Sequence, residues 1–235
     1  MTSPATAVLV HGALTDASVW HRVIERLQSR GITVLAPSLP MRSFDSDTAY
    51  LRSILETVDG PLVVAAHSYA GAVISSPDAL TDRVGALVFV AAFQQDATET
   101  PGGLNGQFPG SLLVPDNLVA RPYPGGTDIY VRPDRFGDVY AADVDPATVA
   151  VMAAAQHPFD PVSLDGSFAG TATWRTLPSW SVVATEDRSI PTETLRFMAK
   201  RAGSTVVEVN SAHAVPVAHP QIVADTIAAA IASLD

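Results

Sequence analysis

The chain contains no cysteine. That excludes a disulfide framework, a thiolate metal site and a cysteine nucleophile together. Basic residues are scarce: 14 Lys and Arg stand against 24 Asp and Glu, a formal net charge of -10. Nowhere do Lys and Arg gather into a patch, so nucleic acid is a poor candidate partner. The acidic surplus serves solubility and weakly repels anionic substrates. Long apolar runs are also missing; none reaches the ~18 residues that a membrane span needs. The opening MTSPATAVLVHG has no basic region and too short an apolar run for a signal peptide. These absences lead to the expectation of a cytoplasmic protein that does not engage membranes. His21, His157 and His219 show no ligand spacing, so neither a metal nor a cofactor is expected.

What remains is a chain of 235 residues, 47% hydrophobic and 16% charged, enough for one well-buried domain over 1–235. It shows no internal repeat and no low-complexity segment. Its first 92 residues alternate short apolar runs with segments of helical spacing. TAVLVHG (6–12), ITVLAP (32–37), PLVVAAH (61–67) and VGALVFVAA (84–92) read as strands. Between them, Val19, Trp20, Val23, Ile24 and Leu27 fall at helical spacing after a cap at Thr15 or Asp16, with Gly31 as the stop. Leu51, Ile54, Leu55 and Val58 mark a second helix near 46–58. A third helix runs on from Ser68. The rhythm resumes with SWSVVAT (179–185), a helix over 191–201 and STVVEV (204–209). The final helix starts near Pro220 and is expected to bury Val223, Ile227 and Ile231. Strands apolar on both faces, separated by helices, predict a parallel sheet covered on both sides.

Residues from about 93 to 177 break this rhythm. Pro and Gly are dense over 101–126, aromatics are scattered throughout, and the one clear element is a helix from Asp145-Pro146 to His157-Pro158. A long insert rich in aromatics needs a surface to pack on, which predicts a lid over the C-terminal edge of the sheet.

In LVVAAHSYAGAVIS (62–75) a strand ends at a serine flanked by small residues. A sharp strand-to-helix turn would hold Ser68 at φ > 0 and crowd the residues two before and two after it, here Ala66 and Ala70. A free hydroxyl is a poor nucleophile; it needs a base, an acid to orient that base and donors for the oxyanion. His213 follows strand six, and Asp187 follows strand five. Glu186, its neighbour, and Asp96, after strand four, are rival acids. HGA (11–13) follows strand one, so the Ala13 and Tyr69 amides can converge on one point. His11 is expected to brace that loop and His67 to be structural.

VLVHGA with Trp20 downstream, AAHSYAGAV, VATEDRSIP and NSAHAV together resemble the α/β-hydrolases. The similarity is to the small single-domain branch with plant methyl esterases, hydroxynitrile lyases and bacterial esterases. The resemblance implies a six-stranded sheet in the order 2-1-3-4-5-6, the family's first two strands being absent. The order reverses between strands one and three, where a crevice forms beyond the strand ends. It further implies a serine esterase acting on a small or medium ester or lactone, with Ser68, His213 and Asp187 as catalytic residues and an oxyanion hole at Ala13 and Tyr69. The apolar pocket would be lined by Leu14, Tyr69 and insert aromatics, Phe93 and Trp174 among them. The lyase relatives carry a threonine where this chain has Gly12 and a lysine where it has Ala214. A perhydrolase or haloperoxidase using peroxide on the same triad, and a ligand sensor with little turnover, are the alternatives. Exposed lid aromatics would also allow a homodimer.

Overall fold

The computed structural model describes residues 4–234. Among the described residues eight strands form, in the order β1 (Thr6–Val10), β2 (Thr33–Leu35), β3 (Leu62–His67), β4 (Val84–Val90), β5 (Leu118–Tyr123), β6 (Gly126–Val131), β7 (Ser179–Ala184) and β8 (Thr205–Val209). Six of them make one parallel sheet, β2-β1-β3-β4-β7-β8. This is the order expected from the sequence, with β5 and β6 set aside as a separate antiparallel hairpin.

The central strands are apolar on both faces because both faces are covered. Every residue of β1 and β3 is buried, as burial between two helical layers requires. The helices are α1 (His21–Gln28), α2 (Phe44–Leu55), α3 (Ala70–Ser75), α4 (Pro101–Asn105), α5 (Phe136–Tyr140), α6 (Pro146–Ala154), α7 (Thr192–Ala202), α8 (Val215–Ala218) and α9 (Pro220–Ala232), of which α4, α5 and α6 belong to the insert. Asp16, not Thr15, supplies the first cap: its carboxylate accepts from the Ser18 amide at 2.8 Å and opens a 3-10 turn ahead of α1. Helix α2 starts two residues earlier than its apolar spacing suggested. Ser43 and Ser46 cap each other's amides there, at 3.1 and 3.2 Å. In α9, Val223 and Ile227 are fully buried, whereas Ile231 is only partly covered.

Two features of the insert depart from the sequence reading. Helix α6 ends at Ala154, short of His157. The stretch 118–131, where the sequence reading placed no element, forms the hairpin, turning at Pro124-Gly125. Ile129 also bridges to Phe159, which ties the hairpin to the rest of the insert. Chain order reverses between the neighbouring strands β1 and β3. The loops leaving β1 and β3 therefore border one crevice at the C-terminal ends of the strands.

Candidate active site

Ser68 occupies the turn between β3 and α3 with φ +57°. A residue with a Cβ adopts that backbone only where the surroundings enforce it. Enforcement is visible on both sides. Ala66 and Ala70 are completely buried. The Ser68 carbonyl accepts from the amides of Gly71 at 3.0 Å and Phe93 at 3.2 Å. The chain leaving β4 passes so close that a Cβ on Gly71 would lie 2.3 Å from the Phe93 carbonyl oxygen.

Across the crevice, His213 extends from the loop after β8. Its Nε2 is 2.8 Å from the Ser68 Oγ and its Nδ1 is 2.7 Å from the Asp187 Oδ2. A carboxylate only accepts, so Nδ1 carries the proton and Nε2 is left to accept from the serine hydroxyl. The second carboxylate oxygen of Asp187 accepts the Ser189 and Ile190 amides at 2.8 and 2.9 Å, which fixes the plane of the group. Glu186 is exposed. Asp96 is paired with the Arg175 guanidinium, which holds its carboxyl below the usual range.

Two further side chains hold the imidazole. The His67 Nε2 donates to the His213 carbonyl at 2.9 Å, and burial keeps the His67 ring neutral by lowering its pKa far below the ordinary value. The Tyr140 ring stands nearly perpendicular to His213, 4.7 Å between centroids, while the Tyr140 carbonyl accepts the Ala214 amide at 2.9 Å. Nothing in the sequence singled out Tyr140, because it lies in the insert, far from any motif.

The loop after β1 is braced from behind. The Leu39 amide donates to the His11 Nε2 at 3.0 Å, so Nδ1 bears the proton and donates to the Gly12 carbonyl at 2.9 Å. Burial lowers the His11 pKa to about 4, which keeps this arrangement neutral. Among the described residues, the amides of Ala13 and Tyr69 have no acceptor within the protein. Beyond its amide, Tyr69 donates its hydroxyl to Asp47 at 2.9 Å, and Asp47 also accepts the Met41 amide at 2.8 Å. Desolvation pushes the Asp47 carboxyl up to about 6.

A cavity of about 360 Å³ opens over Ser68 and His213. Ala13, Leu14, Tyr69 and Phe93 line it. The insert supplies much of the remaining wall, including Tyr140 and Phe159. Trp174 requires a correction, since it is not part of this wall. Its indole N–H donates to the Gln95 carbonyl at 2.8 Å, and its ring packs against the Arg175 and Arg201 guanidiniums, 4.5 and 5.4 Å from its centroid. Among the described residues no group of three His, Asp or Glu is placed to hold a metal ion, and no helix is long and apolar enough to cross a membrane.

Residues 7–226 match a family model described as the alpha/beta hydrolase family. The esterase PIR7B of Oryza sativa subsp. japonica is 28% identical over an alignment of 249 residues, covering 94% of this chain and 93% of that protein. Methylesterase 7 of Arabidopsis thaliana is 33% identical over 109 residues, 40% of this chain and 42% of that protein. The crystal structure of polyneuridine aldehyde esterase superposes with a TM-score of 0.80 at 18% identity, over 97% of this chain and 99% of that one.

Proposed function

The chain belongs to the α/β-hydrolase family and is an ester hydrolase; from that premise we propose that it cleaves a small or medium carboxylic ester or lactone through an acyl-enzyme on Ser68. The observation that carries this reading is the unbroken chain from Ser68 Oγ through the His213 ring to Asp187, at 2.8 and 2.7 Å, beside two unengaged amides.

In this mechanism the Ser68 oxygen attacks the ester carbonyl as His213 Nε2 takes its proton. Asp187 stays ionised and stabilises the imidazolium. The carbonyl oxygen becomes an oxyanion held by the Ala13 and Tyr69 amides. When the intermediate collapses, the C–O bond breaks and the alcohol leaves with the proton from His213. Water then attacks the acyl-enzyme along the same path, with His213 again the base, and releases the acid and free Ser68.

Two features oppose a cyanohydrin-lyase reading. A side chain at position 12 would collide with Ser68 in this backbone, so the threonine of the lyase relatives has no room. Ala214, buried, offers no ammonium where those relatives carry one. The cavity volume falls at the small end of ligand sites and suits a compact substrate. The insert acts as the lid and sets which substrates enter. A panel of activated esters, lactones and amides tests the proposal, together with a phosphonate probe whose adduct is mapped by mass spectrometry. Turnover of esters with the adduct on Ser68 is expected. Labelling elsewhere, or ester turnover that survives quantitative labelling, would refute it.

A further inference from the structure

A second cavity of about 250 Å³ lies beside the first. Its walls include Thr15, Val19, Met152, Ala155 and Val217, and it opens at the surface along α6, where Val151 is 67% exposed. The two cavities have one lining residue in common, Leu14. The barrier beside Leu14 is a thin one. Tyr140 lines the first cavity and Thr15 the second, with their hydroxyls 3.3 Å apart.

Leu14 is an expensive residue to keep there. Its φ is +69°, in the left-handed region, where a residue with a Cβ is disfavoured and glycine is not. Its side chain is nonetheless retained and 2% exposed, wedged between two apolar spaces. Backbone strain that persists beside a reacting centre points to a role for the side chain that the strain places.

We propose that Leu14 is the partition that sets the length limit of the substrate, and that the second cavity is a subsite for an unbranched apolar chain which Leu14 closes off. This inference rests on the ester-hydrolase reading. The wild-type enzyme then takes esters whose apolar part ends at Leu14. Removing that side chain joins the cavities and admits long-chain esters, with the chain running past Thr15 toward Met152 and Val151.

The test compares kcat/KM along two series, p-nitrophenyl esters from acetate to dodecanoate and alkyl acetates from ethyl to dodecyl. For the wild type, kcat/KM falls with chain length in both series. In Leu14→Ala the ratio of dodecyl-length to butyl-length substrates rises about tenfold or more in one series. Leu14→Gly opens the same passage while relaxing the backbone, so a folding defect in Leu14→Ala leaves the comparison in place. Adding Val151→Trp to the opened variant fills the second cavity from an exposed helix position and returns the ratio toward wild type. The proposal is overturned if the wild type already turns over dodecyl and butyl substrates equally. It is also overturned if the opened variants keep the wild-type ratio, or if Val151→Trp leaves their gain intact. Absence of Ser68-dependent turnover of any short ester would instead refute the underlying ester-hydrolase reading.

Discussion

A Cβ built on Gly12 would lie 2.5 Å from the Cβ of Ser68 and 2.8 Å from the His67 carbonyl oxygen. The oxyanion loop and the nucleophile turn thus approach closer than any side chain allows. Gly12→Ala must push them apart and carry the Ala13 amide with it. Displacements of about 1 Å lower turnover on the order of 100-fold. Steady-state kinetics on an activated ester, with a thermal melt to verify folding, would show this. An unchanged kcat would mean that the loop can yield without moving the amide.

Ser68→Ala should lower turnover by about 10⁴–10⁶, as removal of the nucleophile does in other triads. The hydroxyl contributes little to folding, so Tm should hold. Retention of most activity on the same ester would rule out the acyl-enzyme.

The three acids near the site separate cleanly. Asp187→Asn would leave His213 Nδ1 facing an amide and favour the wrong tautomer, with an expected loss of about 10⁴ in kcat. Glu186→Gln, on an exposed side chain, and Asp96→Asn, which removes the partner of Arg175, should each keep kcat within a few-fold. A large loss in Glu186→Gln with a mild one in Asp187→Asn would invert the assignment.

Two buried groups pull stability in opposite directions as the solution is acidified. His11 has its pKa lowered from 6.5 to about 4. The unfolded chain therefore takes up its proton first, and stability is lost as pH falls from 6.5 toward 4. Asp47 has its pKa raised from 3.8 to about 6. Here the folded chain binds the proton first, so stability is present at low pH and is lost as pH rises through 6. By linkage each effect is worth about 3 kcal/mol. The two largely offset between pH 4 and 6, and the neutral His67 adds to the acid-labile side. In Asp47→Asn the compensation is gone, so Tm should drop more steeply between pH 6 and 4 than in the wild type. Parallel Tm profiles would show that Asp47 does not titrate in that window.

The strands and the loops carrying Ser68, His213 and Asp187 were readable because burial on both faces writes continuous apolar runs; the order of the strands followed only from the resemblance to the α/β-hydrolases. Such runs end where chemistry begins. The hairpin at 118–131 was not readable. Its strands are largely half-exposed, one contains Pro122, and they carry no comparable apolar run. Trp174 misled for a related reason. An aromatic in an insert can face a cavity or a cation, and the Arg201 that helps hold it lies far along the chain. Tyr140 and Asp47 act through neighbours that only folding brings close. Asp47, wholly buried on an otherwise amphipathic helix, was the one such case with a trace in the sequence: a carboxylate among the helix's apolar positions.

Strands β4 and β7 lie side by side, with Leu87 opposite Ser179 and Val90 opposite Val182. Everything between them in the chain leaves the sheet and returns at neighbouring positions. The segment that walls much of the cavity is therefore a cassette with adjacent ends. Exchange of that cassette with a relative would alter what the enzyme accepts while Ser68, His213 and Asp187 stay outside it, so long as the incoming segment supplies the ring and carbonyl with which Tyr140 holds the His213 loop.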